Sequence, residues 1–416
     1  MSKLAKTTCD FLAARPRYSQ NTDELRAYVD DAVDWQAVHG LLLRAPRLDG
    51  DGASERPDWL GSALVPAPVA LGPSPIPRSE FVKVVELQPI LNQLLDRVSR
   101  DHDFLTSTLQ SIGSADDFTA RILAMYIRQR ALGVLKPGVV GIHRSDYLIH
   151  APETEPEERP MAKQVEFNTI ASSFASLSTI VGDFHRGDIS MDQLPDNESL
   201  TSIGDGVAAG FELYGCPNAI AIMVVQPNER NVYDQQKTEK WPLPTIGCKK
   251  IQQVLAQPGV VERFVDDLQT AAQVRECFVG LYPLDTSIEG QQAYETAMAN
   301  PSGYVVKPQR EGGGYNTYGD DIPKLLGKLS DEERKGYILM ELIKAPGFNS
   351  VLLRNGQLVA SEVVSELGIY GIWASDAAGN VVINRHGGHL LRTKASDVYE
   401  GGVAAGFAVI DSPLLV

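Results

Sequence analysis

The sequence predicts an α/β or α+β protein, and three observations carry that prediction. Helical periodicity fills the first third of the 416 residues. Short apolar strands then alternate with helical segments. Two hairpin signals, Asn355-Gly356 and Gly379-Asn380, follow near the end. The texture changes near residue 135, the expected boundary of the N-terminal helical part.

The elements follow in order. Residues 22–43 read as a helix, with Leu25, Tyr28, Val29, Ala32 and Val33 at helical spacing. Residues 57–81 are proline-rich and are expected to lie extended on the surface. Residues 82–112 and 116–133 read as two amphipathic helices. Leu87, Ile90, Leu91, Leu94, Leu95 and Val98 line the first, and an acidic turn in "SADDFTARI" opens the second. "GVVGIHRSDYLIH" (138–150) and "KQVEFNTI" (163–170) read as strands around an acidic loop. Residues 197–214 read as a helix, 218–225 as a buried strand and 248–257 as the start of a helix. Strands are expected at 303–309 and 337–343, with a short helix at 320–329 between them.

Composition narrows the function. A chain of this length exceeds the size at which one core keeps growing, so two or more packed lobes are expected. Hydrophobic content of 43% and charged content of 22% are ordinary for a globular protein. A formal charge of −15 argues against nucleic acid or a membrane surface as partner. A local basic pocket for a small anion is still allowed. No run approaches the ~18 apolar residues of a membrane span, and "MSKLAKTTCD" has no apolar signal core. The expected compartment is the cytosol. Cys9, Cys216, Cys248 and Cys277 lie far apart without a CxxC, which argues against both a zinc site and a disulfide framework.

Four stretches carry chemistry. In "KPQREGGGYNTYGDDI" a strand delivers Lys307 to a loop with Gly312, Gly313 and Gly314. Backbone N–H groups of such a loop can wrap phosphate oxygens. Glu311 would oppose phosphate unless a divalent cation lies between them, which suggests a magnesium ligand. The alternative is an exposed glycine turn with solvated charges. In "VEFNTIASSF", strand alternation puts Glu166 and Asn168 on one face as hard ligands suited to magnesium. Ser172 and Ser173 follow as donors for a carboxylate. A plain strand with a wet polar face competes with this. Near the C-terminus Arg392 and Lys394 alternate ahead of the glycine- and alanine-rich 401–406. Arg392 suits bidentate grip of a carboxylate, and a plain terminal hairpin is the alternative. Finally, "RSDYL" puts Arg144 and Asp146 on one strand face, and "NERNVYDQ" gathers Glu229, Asn231 and Gln235. "HGGH" (His386, His389) is at most half a metal site, and HExxH and GxSxG are absent.

Together, "RSDY", "VEFNTI", "KPQREGGG", "SELGIYG" and "HLLRTKA…GGVAAGFAVID" resemble eukaryotic-type glutathione synthetase, in order and along the whole chain. The resemblance implies an ATP-grasp fold, a homodimer, and Mg²⁺- and ATP-dependent ligation of γ-glutamylcysteine with glycine through an acyl phosphate. It implies an N-terminal helical part (1–135), a segment with magnesium and substrate residues (136–200), a truncated substrate-binding domain (201–247) and a nucleotide-binding and lid region (248–416). Glu166, Asn168 and Glu311 match the family's magnesium ligands. Lys249, Lys307, Lys394 and Glu366 match nucleotide contacts. The loop from Glu311 through Tyr315 and Asn316 to Tyr318 matches the lid over the phosphates, and Met340, Glu341, Leu342 and Ile343 match the hinge at the adenine. Arg144, Ile170, Ala171, Ser172, Ser173, Glu229, Arg230, Asn231, Gln235, Arg392, Val403 and Ala404 match substrate positions. The catalytic set is Arg392, Lys307 and Glu311.

The chain departs from the family pattern in three places. Ala171 stands where a serine is usual, and Glu400 where an aspartate is usual at a nucleotide contact. Only "QKTEKWPLPTIGC" joins Gln235 to Lys249, where the family has several dozen residues that include an arginine–tyrosine pair for the dipeptide. The short join opens two further readings: an ATP-binding protein without turnover, or an ATP-grasp ligase of another carboxylate and amine.

Overall fold

The computed structural model describes residues 22–45, 63–133, 138–152, 159–169, 172–187, 189–220, 222, 229–232, 234, 249–309, 315–354, 356–399 and 401–416. Its first helix, Thr22–His39, is shorter than expected. Gly40 takes a φ of 71°, which ends the helix, and "LLR" becomes strand β1 (Leu42–Arg44). The proline-rich stretch is a second correction. It does run extended, as β2 (Leu64–Pro66), β3 (Val69–Ala70) and β4 (Ser74–Ile76). Yet β3 and β4 are buried within sheets, because their small and apolar residues fill the interior.

The helix expected over 82–112 is two helices, Arg78–Arg100 and His102–Gln110. Asp101 divides them. It leaves helical geometry at ψ 90°, and its carboxylate accepts from Phe104 N at 2.9 Å, capping the second helix. The next helix, Asp117–Ala131, opens as expected, with Asp116 accepting from Thr119 N at 2.7 Å.

The central strands β5 (Gly138–His150) and β6 (Met161–Asn168) lie where the sequence puts them. The helices Ala175–Arg186, Ser199–Tyr214 and Lys249–Leu255 follow. The buried strand expected over 218–225 is not present in the residues described there. Residues 218–220 and 222 are not in a strand, and Ile220 and Ile222 are exposed. After helix Leu268–Cys277 come β7 (Leu281–Pro283), helix Ile288–Ala299, β8 (Tyr304–Pro308), β9 (Thr317–Tyr318), helices Asp321–Leu326 and Asp331–Arg334, and β10 (Tyr337–Glu341). The last strands are β11 (Phe348–Arg354), β12 (Gln357–Asp376), β13 (Val381–Ala395), β14 (Val409–Asp411) and β15 (Pro413–Leu415).

Two sheets position the site. The larger has the order β11-β3-β14-β13-β12-β5-β6, antiparallel except for the β14–β3 pair. The smaller has the order β7-β10-β8-β9. Strand alternation gives the large sheet two apolar faces. Leu367, Ile369 and Leu391 join Leu87, Leu91, Leu94 and Val98 of helix Arg78–Arg100 on one face. Tyr370, Ile372 and Leu390 join Leu177, Val181 and Ile203 of the two following helices on the other. Gly371 lets helix Arg78–Arg100 approach: a Cβ there would lie 2.0 Å from Asn92 Oδ1. Leu148 and Val165 pack against Val305, Ile338 and Met340, linking the two sheets.

Candidate active site

The site is built around one carboxylate. Asp146 on β5 is fully buried. It accepts from Arg144 Nε at 2.7 Å and Nη2 at 2.9 Å, a bidentate pair. Arg392 Nη2 of β13 reaches the same carboxylate at 2.9 Å, and Asn168 Nδ2 of β6 at 2.8 Å. Arg392 also pairs with Glu366, which faces it across the β12–β13 ladder. Burial opposes charge on Arg144, but Asp146 outweighs that and raises its pKa; Glu366 and Asp146 do the same for Arg392.

Reaching across β12 requires Gly368. A Cβ there would sit 2.7 Å from both Arg144 Cδ and Asp146 Oδ1. Glycine in "SELGIYG" therefore leaves the space in which the arginines share a carboxylate.

A second cluster adjoins the first. Glu166 lies 3.7 Å from Lys249 Nζ, and Lys307 Nζ donates to the Val165 carbonyl at 3.1 Å. Burial disfavours the Glu166 carboxylate, but Lys249, Lys307, Arg392 and Arg144 together hold its pKa down to about 2. Gln309 Oε1 accepts from Lys250 N at 2.9 Å, fixing the start of the Lys249 helix beside the end of β8.

The turn after β6 is strained. Phe174 has a φ of 74°, a left-handed conformation costly for a bulky residue. Tyr370 OH and Arg144 Nη1 both donate to the Ser173 carbonyl, at 2.6 and 3.3 Å. Asp234 accepts from Phe174 N at 2.6 Å and Ser176 N at 2.8 Å, capping the helix that follows. Asn231 Nδ2 donates to Asp234 at 3.1 Å, while Asn231 Oδ1 is buried without a partner among the described residues. Asn231 N donates to Glu229 Oε1 at 2.9 Å. Ser172 Oγ donates to Asn168 O at 3.3 Å. Arg230 is directed to backbone: it donates to Arg44 O and to Ala404 O, tying β1 to the C-terminal loop beside the buried Val403.

On the small sheet, Met340 and Ile343 are buried and Glu341 is held by Gly280 N at 3.0 Å and Tyr282 OH at 2.9 Å. Glu341 N, Leu342 N and Lys344 N are bonded to Gly280 O, Gly303 O and His150 Nδ1. Among the described residues, that leaves the Ile343 N–H as the donor this hinge can offer a ligand. Asn316 Nδ2 lies 3.4 Å from Tyr318 OH, and Tyr315 is exposed. Tyr318 stacks on Tyr399 with ring centroids 4.4 Å apart, and Lys394 Nζ donates to Tyr399 O. The loop expected to act as a lid therefore touches the segment that leads into the glycine- and alanine-rich 401–406.

Ile170, Ala171, Gln235, Glu311, Gly312, Gly313, Gly314 and Glu400 lie outside the described residues. Among the described residues, no group of three or more His, Cys, Asp or Glu could hold a metal ion. His389 is buried with its ring edge-on to Phe81, and its backbone N–H donates to Asn197 Oδ1 at 2.9 Å. Asp146 is visible in "RSDYL", but its hub role is not, because the hub exists only once β13, β12, β5 and β6 are paired. Gly368 and Tyr370 lie within "SELGIYG" and Asp234 within "NERNVYDQ", but no periodicity marks the contacts they make.

A large sheet that presents arginines and an ionised carboxylate–lysine cluster, beside a smaller sheet, is the arrangement expected of an ATP-dependent ligase of the ATP-grasp type. Comparison with known proteins agrees. The family model for the eukaryotic glutathione synthase ATP-binding domain matches residues 22–415. The chloroplastic glutathione synthetase of Solanum lycopersicum is 36% identical, over 93% of this chain and 84% of that protein. Glutathione synthetase of Homo sapiens is 33% identical, over 95% of this chain and 98% of that protein. The chain belongs to the eukaryotic glutathione synthase family, and glutathione synthesis is the activity its relatives support; neither alternative opened by the short join is favoured. The human alignment spans 476 positions, more than the 416 residues here, so that relative carries residues this chain lacks. Among solved structures, a glutathione synthetase-like effector from Globodera pallida in apo form has the same fold. Its TM-score is 0.71 at 20% identity, over 96% of this chain and 99% of that one.

Proposed function

We propose that this chain joins the carboxylate of γ-glutamylcysteine to the amine of glycine, with conversion of ATP to ADP and phosphate. The observation that carries the reading is the convergence of Arg144 and Arg392 on Asp146, with Lys249 and Lys307 beside the ionised Glu166. Such a cluster offsets the repulsion between a substrate carboxylate and a γ-phosphate. A carboxylate oxygen attacks the γ-phosphorus and ADP leaves. The glycine nitrogen then attacks the acyl carbon, loses a proton, and phosphate leaves. No protein nucleophile is needed, so the protein contributes by orienting, neutralising charge and excluding water.

In this reading Arg392, Arg144, Ser172, Ser173, Glu229 and Asn231 hold the dipeptide, with Asn231 Oδ1 as an acceptor without a partner in the described structure. The Ile343 N–H and Glu341 meet the adenine, and Lys249, Lys307 and Lys394 meet the phosphates. Glu366, bonded to Arg392, borders this group. Magnesium fits the donors described: Glu166 stays ionised, and Asn168 commits its amide nitrogen to Asp146, leaving its oxygen for a cation. Glu166, Asn168 and Glu311 would hold the ion, which would neutralise phosphate charge when bound. The loops through Tyr318 and Tyr399 act together as lids over the acyl phosphate.

We further place the enzyme in the cytosol as a homodimer. No helix among the described residues is long and apolar enough to cross a membrane. The test is ADP release with γ-glutamylcysteine, glycine, ATP and Mg²⁺, with the tripeptide identified by mass. ADP release that does not depend on glycine, or no tripeptide, overturns the reading. Sedimentation reads the dimer.

A further inference from the structure

Beneath the arginines, on the opposite face of the large sheet, runs a chain of buried hydroxyls that the proposed chemistry does not use. Thr393 lies between Arg392 and Lys394, so strand alternation turns it away from both. Ser365 faces Thr393 across β12–β13, just as Glu366 faces Arg392. The Ser365 and Thr393 hydroxyls are 2.7 Å apart. Thr393 donates onward to Asp411 Oδ2 of β14, and Ser74 of β4 donates to the same oxygen. Ser412 N closes the set on Asp411 Oδ1 at 2.7 Å. Thr393, Asp411, Ser74 and Ser412 are at most 2% exposed. The chain thus crosses four strands of two sheets, β12, β13, β14 and β4, directly behind Glu366, Arg392 and Lys394. An apolar lattice would serve the core as well, whereas directional bonds fix the relative height of neighbouring strands.

We propose that Thr393 is a positioning residue for the ligation, holding Arg392 and Lys394 at working height through the hydroxyl chain anchored on Asp411. The proposal rests on the ligase reading, in which Arg392 grips the substrate carboxylate. It acts through strand placement and touches no substrate.

Two variants separate hydroxyl from packing. Thr393→Val keeps the shape and removes the hydroxyl; Thr393→Ser keeps the hydroxyl and removes a methyl. Thr393→Val is expected to lower kcat/KM for γ-glutamylcysteine about tenfold or more, since displacements below 1 Å in positioning groups act on this scale. Thr393→Ser is expected to stay within about twofold of wild type, well inside that loss. Adenosine binding by calorimetry, which reads the hinge on the other sheet, is expected to be unchanged in both. The proposal falls if Thr393→Val keeps wild-type kcat/KM, if Thr393→Ser fails as Thr393→Val does, or if adenosine affinity drops in step with activity. Hydrogen exchange at the Arg392–Lys394 amides keeps the two claims apart. It should rise in Thr393→Val and not in Thr393→Ser, whether or not the chain ligates. Unchanged exchange overturns the positioning role, whereas an inactive wild type with the expected exchange overturns only the ligase reading.

Discussion

Replacing Gly368 with alanine tests the claim that the arginines work because β12 is flat beneath them. The added Cβ would lie 2.7 Å from Arg144 Cδ and 2.7 Å from Asp146 Oδ1. Ordinary contact begins at 3.4 Å, so each atom must retreat by about 0.7 Å. Neither retreats easily. Arg144 is fixed by two bonds to Asp146 and one to Ser173 O, and Asp146 is fixed by Arg144, Arg392 and Asn168. A shift of about 1 Å in positioning groups costs about a hundredfold in rate, so about 0.7 Å predicts a loss between tenfold and a hundredfold, about 1.4–2.7 kcal/mol. Overpacking adds a stability cost of about 1–3 kcal/mol. Steady-state ADP release with γ-glutamylcysteine varied measures the first, and thermal unfolding the second. The expected signature is a fall in kcat/KM for the dipeptide with nucleotide binding kept, because the hinge lies on the other sheet. A folded Gly368→Ala enzyme with kcat/KM within about threefold of wild type would refute the reasoning, since the displacement would then not matter on the predicted scale.

Other perturbations follow from the same geometry. Asp146→Asn leaves two buried guanidinium groups short of a counter-charge and should cost about 3–5 kcal/mol of stability, read by denaturant unfolding. Tyr282→Phe removes one bond to Glu341 and should weaken ATP-analogue binding by about 0.5–1.5 kcal/mol in calorimetry, with the KM for the dipeptide unchanged. Tyr399→Ala unstacks the two loops and should raise the ADP released per tripeptide formed, as water reaches the acyl phosphate. Asp411 gives a pH signature. Burial lifts its carboxyl from 3.8 to about 7, against the hydrogen bonds from Ser74 and Thr393. The native state therefore keeps a proton that the unfolded chain loses, and stability falls as pH rises from about 4 to about 7, by at most about 4 kcal/mol. Asp411→Asn should flatten that slope in thermal unfolding followed across the window, and an unchanged slope would assign it to other groups.

The elements that sequence makes legible share a physical trait: their pattern is local. Alternation along "GVVGIHRSDYLIH" and the turns at Gly356 and Gly379, with φ of 72° and 93°, are set by neighbouring residues. Lys307, Arg144, Asp146 and Arg392 stand out as charged types in short motifs, whereas Lys249 is named only through the family resemblance. What escapes is set by distant partners. Asp101 divides a continuous helical pattern through a single cap. "PVALGPSPI" reads as a surface loop until β14 and β15 pair with it. Gly368 matters only because Arg144 and Asp146 arrive over it from another strand. Asp234 matters because a strained Phe174 turn, 60 residues upstream, needs its N–H groups satisfied.

The short join between Gln235 and Lys249 acquires a physical meaning from what flanks it. Before it, Asn231 and Asp234 are bonded into the Phe174 turn, and Arg230 holds the Ala404 carbonyl. After it, Lys250 N is held by Gln309, and Gln252 donates to Gln164 of β6 at 3.0 Å. Both ends are therefore anchored to the elements that carry Arg144, Glu166 and Lys307. In the ligase reading, the residues lost with the longer join are contacts to the dipeptide rather than to the phosphates, since Lys249, Lys307 and Lys394 are all present. Discrimination between dipeptides, more than ATP use, is the property in which this chain should differ from its longer relatives.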